Sequence, residues 1–253
     1  MLFGEIALEA AIKAGNILKL AFVNQSHIEA KGKHDIVTET DRMSEQAILG
    51  VLQKHFPEHT YIAEESGTIQ TQSEYSCYID PLDGTSHFVT GNPYFSVSIA
   101  LAYKSEVIVA IVYNPVLNEC YTAVKGKGAF LNNHPIYVNN NSILSNAMIA
   151  SAYSAHEAEI ITGLQTIEKL AMQARKVIIN FSPAMDLCNI ARGRLDGIIT
   201  KGTTPEDHAA GSLILTEAGG MVQNFDNNLW NVNEHGIIAS NGLLQNVIRK
   251  VVT

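Results

Sequence analysis

The chain has no Cys-x-x-Cys pair, and its three cysteines, Cys77, Cys120 and Cys188, are odd in number and widely spaced. That argues against a disulfide framework and against a zinc site, and points to free thiols in a reducing compartment. No uncharged apolar run reaches the roughly 18 residues of a membrane-spanning helix. Glu5 and Glu9 interrupt the apolar start, and Lys13 and Lys19 follow, which is the pattern of an amphipathic helix and not of a secretory leader. No strongly basic run occurs either. Lys125-Gly126-Lys127-Gly128 is too short and reads as a β-turn, and the net charge is -8. Nucleic acid is therefore not expected as the main ligand, since its binders cluster Lys and Arg. The acids are dispersed and lack EF-hand spacing. A cytoplasmic protein without membrane contact is the expectation.

What remains is a chain of 253 residues, 46% of them hydrophobic, which is enough for a substantial core. Ile6, Ala7, Ala10, Ala14, Ile17, Leu18 and Ala21 recur at helical spacing. Asp41 opens a second helix that ends before Pro57. Tyr61–Ala63 and Ser76–Asp80 read as strands. Ser96–Tyr103 and Glu106–Tyr113 read as a hairpin turned at Lys104-Ser105. Asn139-Asn140-Asn141-Ser142 is a polar break. Beyond it strands and helices alternate, with helices at His156–Met172, Pro183–Ala191 and Asp207–Ala218, and near Leu243–Lys250. One domain is expected, an α+β half over 1–140 and an α/β half over 141–253, with helices and sheets packed in layers.

The stretch Asp80-Pro81-Leu82-Asp83-Gly84-Thr85 carries the most chemistry. It reads as two carboxylates three residues apart on a Pro-containing turn, followed by a glycine and a hydroxyl. Paired carboxylates attract a hard divalent cation. Backbone N–H groups of Gly84-Thr85 entering a helix attract an anion, because the first helical N–H groups lack intrahelical partners. A cation site beside an anion site suggests a phosphate ester held on metal. Other acids stand in similar contexts: Asp41 at a helix start, Glu64-Glu65 at a strand end, and Asp207 before His208-Ala209-Ala210-Gly211. Taken singly, Asp41 and Asp207 read equally well as helix caps.

These blocks, in this order, resemble the inositol monophosphatase family of magnesium-dependent, lithium-sensitive phosphomonoesterases. The central signature is matched by Asp80-Pro81-Leu82-Asp83-Gly84-Thr85-Ser86-His87-Phe88. The later one is matched by Glu206-Asp207-His208-Ala209-Ala210-Gly211 through Glu217-Ala218-Gly219-Gly220. Asp35–Asp41, Glu64-Glu65-Ser66, Tyr113-Asn114-Pro115 and Gly126-x-Gly128-Ala129-Phe130 fall in the family order, so the resemblance runs from Lys31 to Asn241. It implies a layered α/β/α/β/α sandwich, usually a homodimer. It also implies two or three magnesium ions, with manganese as a possible substitute. Glu64, Asp80 and the Leu82 carbonyl would hold one ion, and Asp80, Asp83 and Asp207 a second. Gly84 and Thr85 would meet the phosphate. Asp41 and Thr85, with Glu64, would orient and deprotonate the attacking water.

The chain departs from the family pattern in places. Glu206 replaces a tryptophan and is expected to face solvent. His87 replaces an asparagine and is expected to cap a turn. Ala63 replaces a glycine. Thr200-Lys201 stands where a glutamate contacts a ring hydroxyl, and Asn180–Asp186 differs from the usual substrate rim. Thr200 and Lys201 are the expected substrate contacts, and Lys201 suits a second phosphate or plain solvent. The expected substrate is a small phosphate ester, an inositol monophosphate or a related polyol or sugar phosphate. The alternatives are 3′-phosphoadenosine 5′-phosphate, fructose 1,6-bisphosphate or histidinol phosphate. A rival of another class is a regulatory protein that binds protein or RNA through the same fold.

Overall fold

The computed structural model describes residues 2–24, 28–30 and 36–253. Lys31–Asp35, which belong to the expected motif blocks, lie outside them. Helix α1 (Leu2–Asn24) leads through β1 (Ile28–Ala30) and β2 (Ile36–Thr38) to α2 (Glu39–His55). Then come β3 (Thr60–Ala63), β4 (Gly67–Ile69), β5 (Tyr75–Asp83), the short α3 (Thr85–Val89), β6 (Ser96–Tyr103), β7 (Glu106–Asn114), β8 (Glu119–Val124), β9 (Ala129–Leu131) and β10 (His134–Pro135). After the polar break follow β11 (Met148–Tyr153), α4 (Glu157–Ala171), β12 (Lys176–Ile179), α5 (Pro183–Ala191) and β13 (Gly197–Lys201). The last elements are α6 (Pro205–Glu217), β14 (Met221–Gln223), β15 (Ile237–Ser240) and α7 (Gln245–Val252).

The first half forms an eight-stranded sheet, β10-β9-β8-β7-β6-β5-β3-β4, antiparallel except where β3 meets β5. The second half forms a five-stranded mixed sheet, β12-β11-β13-β15-β14. Helices α1 and α2 cover the outer face of the first sheet, and α4 and α7 the outer face of the second. Between the sheets lie α5 and α6. This is the expected five-layer sandwich.

Side-chain parity decides which layer each strand residue joins. In β6, Val97, Ile99 and Leu101 face α1 and α2, whereas Ala100 and Ala102 face the central helices. The small residues on that inner face let α6 lie close. Buried on both faces, β6 carries the unbroken apolar run Ile99–Ala102, preceded by the buried Ser96 and Ser98. Helix α6 is likewise buried all round from His208 to Leu215, as a helix between two sheets must be. A Cβ on Gly211 would lie 2.7 Å from the Leu187 Cβ, so the Ala209-Ala210-Gly211 run does serve helix packing. At the end of α6, Glu217 accepts hydrogen bonds from the Gly126 and Gly128 backbone N–H groups, each at 2.7 Å, and ties the late motif to the early turn.

The polar break is stitched down. The Asn139 and Asn141 amides donate to Asp196 Oδ1 at 3.1 and 2.9 Å, and Asn241 donates to Asn139 Oδ1 at 2.8 Å.

Candidate active site

The structure corrects one expectation at the outset. Asp80-Pro81-Leu82-Asp83 is not a turn after a strand; β5 continues through it to Asp83. Asp80 pairs with Ser98 and Asp83 with Ser96, so three steps along β5 oppose two along β6. The extra residue is a β-bulge, with Pro81 where a ladder donor is not needed. Without it, residues three apart would point to opposite faces of the sheet. With it, Asp80 and Asp83 share the face that looks toward α6, while Leu82 packs into the core on the α1–α2 side. The bulge is held by Ser44, which donates to the Pro81 carbonyl at 2.8 Å, and by Asp80 Oδ1, which accepts the Leu82 N–H at 2.9 Å.

Asp207 arrives from α6. It is the third helical residue, not the first: Thr204 is the N-cap and Pro205 opens the helix. Asp207 Oδ2 accepts the Thr204 N–H at 2.7 Å as half of a capping box. Asp207 is thus part of a cap and also lines the cleft. Asp41 is similarly inside α2, which begins at Glu39, and is buried. The Thr85 hydroxyl lies 3.4 Å from Asp41 Oδ1 and 3.2 Å from the Leu82 carbonyl oxygen. Glu64 stands just past β3, its N–H bonded to the Ile79 carbonyl at 3.2 Å, and is exposed to the cleft.

Glu64, Asp80, Leu82, Asp83, Thr85 and Asp207 all line one cavity of about 540 Å³, with Gly84 at its floor. Gly84 sits at φ 92°, and a Cβ there would lie 2.8 Å from the Tyr94 carbonyl oxygen, so only glycine fits. Asp83 is embedded at the N-terminus of α5. Its Oδ2 accepts the Ser182 hydroxyl at 2.5 Å and the Met185 N–H at 3.3 Å. These bonds favour the ionised form, but burial outweighs them and pushes the Asp83 carboxyl up to about 7. Burial, with the charge of Asp83 close by, also pushes Asp207 up to about 7. Burial raises Asp80 well above the usual carboxylate range, and Glu64, Asp83 and Asp207 add to the rise.

A site of this kind fits a hard divalent cation. Every candidate donor is an oxygen, and the carboxylates are held by neighbouring N–H and hydroxyl groups that orient them. Burial is the main cause of their raised pKa values, with neighbouring acids adding to it at Asp80 and Asp207, and a bound cation would oppose that rise. Among the described residues, no three His, Cys, Asp or Glu side chains are gathered into a ready metal-binding group.

The chain matches the model of the inositol monophosphatase family over residues 3–253. The chain belongs to that family. Inositol monophosphatase 2 of Solanum lycopersicum is 38% identical over 96% of this chain and 95% of its own. Nus factor SuhB of Haemophilus influenzae is 40% identical over 87% and 84%. An IMPase structure from Thermotoga maritima superposes with a TM-score of 0.90 at 34% identity, covering 100% of this chain and 97% of its own. The protein is accordingly a phosphomonoesterase of the inositol monophosphatase family.

The expected substrate contacts at β13 are not where the motif offset put them. Thr200 is fully buried, and its hydroxyl contacts His208 Nε2 at 3.1 Å, the Thr203 hydroxyl at 2.8 Å and the Ile237 N–H at 3.0 Å. Parity explains this: Ile198 and Thr200 face the central helices, whereas Ile199 faces α4 and α7. Lys201 is half-buried, with its Nζ 3.7 Å from the centre of the Phe225 ring. Neither residue lines the cavity. Glu206 is half-buried near Asp207 and Tyr78, not fully in solvent.

His87 does more than cap a turn. Its Nε2 contacts the Asn180 carbonyl at 2.5 Å, and the Asn92 amide meets its Nδ1 at 2.8 Å. Within the rim stretch Asn180–Asp186, two residues given no role of their own from the sequence also build the site. Ser182 holds Asp83, and buried Asp186 accepts from the Tyr94 hydroxyl and the Asn180 amide, both at 2.6 Å. A lone acid in the apolar run Pro183–Ala191 was the available signal for Asp186.

Proposed function

We propose that the protein hydrolyses a small phosphate monoester with magnesium as cofactor, acting as a cytoplasmic homodimer. What supports this reading is a single convergence: the β5 bulge turns Asp80 and Asp83 to the side from which α6 presents Asp207. Glu64, Asp80 and the Leu82 carbonyl would hold one ion, and Asp80, Asp83 and Asp207 a second. Bound magnesium would supply positive charge to the phosphoryl oxygens and lower the pKa of water. The remaining work falls to the chain. The first N–H groups of α3, at Gly84 and Thr85, would orient the phosphate. Thr85, hydrogen-bonded toward Asp41, would fix the attacking water, and Asp41 and Glu64 would accept its proton. The α5 N-terminus steadies the charge of Asp83.

The family resemblance makes inositol monophosphate or a related polyol or sugar phosphate one candidate substrate, and 3′-phosphoadenosine 5′-phosphate, fructose 1,6-bisphosphate and histidinol phosphate are the others. The test is phosphate release across these esters, with magnesium and with chelator, in wild type and Asp83→Asn. Magnesium-dependent release that the variant loses supports the reading. Near-normal turnover by Asp83→Asn, or indifference to chelator, defeats it. A second reading, a regulatory role that binds protein or RNA through the same fold, is favoured by the name Nus factor SuhB carried by a 40% identical relative. Partner capture that survives in the inactive Asp83→Asn protein would support that role.

A further inference from the structure

We propose that the alcohol half of the substrate carries an aromatic ring, seated on Phe181 beside Tyr153. The inference rests on the cavity being the phosphatase site.

The cavity that holds the acids also has an apolar wall of Tyr153, Ile160, Phe181 and Pro183. Phe181 is 38% exposed, and its backbone lies in the left-handed region at φ 48°. A bulky residue there is strained, and asparagine or glycine would make the same turn at less cost. The exposed ring adds a solvation cost. Both penalties fall on a residue whose flanks are pinned. Asn180 is gripped through its carbonyl by His87 and through its amide by Asp186. Ser182 is bonded to Asp83. The clamp therefore fixes the wall relative to a candidate metal ligand, as a specificity surface requires.

Tyr153, at the end of β11, stands edge-on to Phe181, with ring centres 5.0 Å apart and planes at 86°. It has room because position 163 is glycine: a Cβ there would lie 2.7 Å from the Tyr153 ring. A cavity of about 540 Å³ exceeds what a phosphate and its ions occupy and leaves space for a ring. Ser86, Ser154, Thr203 and Thr204 give the lining polar atoms, but the wall of Phe181, Ile160 and Pro183 offers a polyol no hydrogen-bonding side chain. An aromatic ring gains from stacking on the exposed part of Phe181.

The test uses the magnesium-loaded enzyme and two primary-alcohol esters that differ in the ring, phenethyl phosphate and butyl phosphate, with glycerol 2-phosphate as the reporter of basic chemistry. Wild type should favour phenethyl over butyl phosphate in kcat/KM. Phe181→Ala should lower that ratio about threefold to tenfold, mainly through KM, and Phe181→Tyr should restore it. A wild-type ratio near one, or a ratio that Phe181→Ala leaves in place, overturns the proposal. So does a change in oligomeric state without a change in the ratio, which would make Phe181 an interface residue. Turnover without ring preference defeats this inference alone, whereas folded wild type inactive on all three esters defeats the phosphatase reading and this inference with it.

Discussion

Asp207→Asn should stabilise the protein in the absence of metal. The carboxyl is pushed from its ordinary 3.8 up to about 7 by burial and by Asp83. A raised folded-state pKa means that the folded chain holds this proton more tightly than the unfolded chain does. Below about pH 3.8 the group is neutral in both states and costs nothing. Between 3.8 and 7 the cost of ionising it in the folded state grows, and above 7 it is constant. At about 1.36 kcal/mol per pKa unit the full cost is about 4 kcal/mol. Asp207 is only half-buried and faces an open cleft, so solvent screening reduces the expected figure to about 1–2 kcal/mol. Asparagine keeps an oxygen for the Thr204 N–H, so the capping box survives. The variant should melt about 2–8 °C above wild type at pH 8 with chelator. The gap should shrink to near zero at pH 4. Magnesium should reverse the order, because it binds the native acids and not the isostere. Thermal melts at both pH values, with chelator and with magnesium, decide the matter. A variant no more stable than wild type at pH 8 without metal would refute the electrostatic reasoning.

Other outcomes follow from single contacts. Gly84→Ala should abolish phosphate release, since φ 92° and the Tyr94 carbonyl at 2.8 Å leave no place for a Cβ; a folded, active alanine variant in the release assay would count against it. Ser182→Ala removes the 2.5 Å bond that orients Asp83 and should weaken magnesium binding by about tenfold in calorimetry, with the far-ultraviolet spectrum intact. Burial pushes His208 down to about 3, so the folded state refuses a proton that the unfolded chain accepts below 6.5. Stability should fall as pH drops from 6.5 toward 3, by up to about 5 kcal/mol, and His208→Gln should flatten that slope in urea titrations. Glu119→Ala removes the carboxylate paired at 2.6 Å to the Arg192 guanidinium, 8% exposed, and leaves that charge with the neutral Tyr121 hydroxyl, which should cost about 3 kcal/mol in denaturant unfolding.

Much of the fold was legible because it depends on local pattern. The Ser96–Asn114 hairpin and the Pro183 helix start follow from alternation and from proline. The acids were legible as a set because each stands at or near an element end. The bulge was not legible: Asp-Pro-Leu-Asp-Gly looks like a turn when only local propensity is read, and it is pairing with Ser96 and Ser98 on another strand that keeps it extended. The orientation of Thr200 escaped for a similar reason. The family resemblance put it at the rim, where a glutamate contacts a ring hydroxyl, but β13 parity and the demand of buried His208 for partners turn it inward. Phe181 was legible only as part of the rim stretch Asn180–Asp186; its exposure was not, because it depends on clamps on Asn180 and Ser182 by His87 and Asp83, which are distant in sequence.

Helix α6 brings Asp207 to acids that lie far earlier in the chain, and it also covers the inner alanine face of the first sheet. During synthesis the first sheet emerges with that face bare and with Asp80 and Asp83 opposite nothing. A product that stops before Pro205 would lack the third acid and would expose a broad apolar surface at the same time. The two deficits cannot be separated, so an unfinished molecule is both inert and conspicuous to the chaperones and proteases that remove such chains.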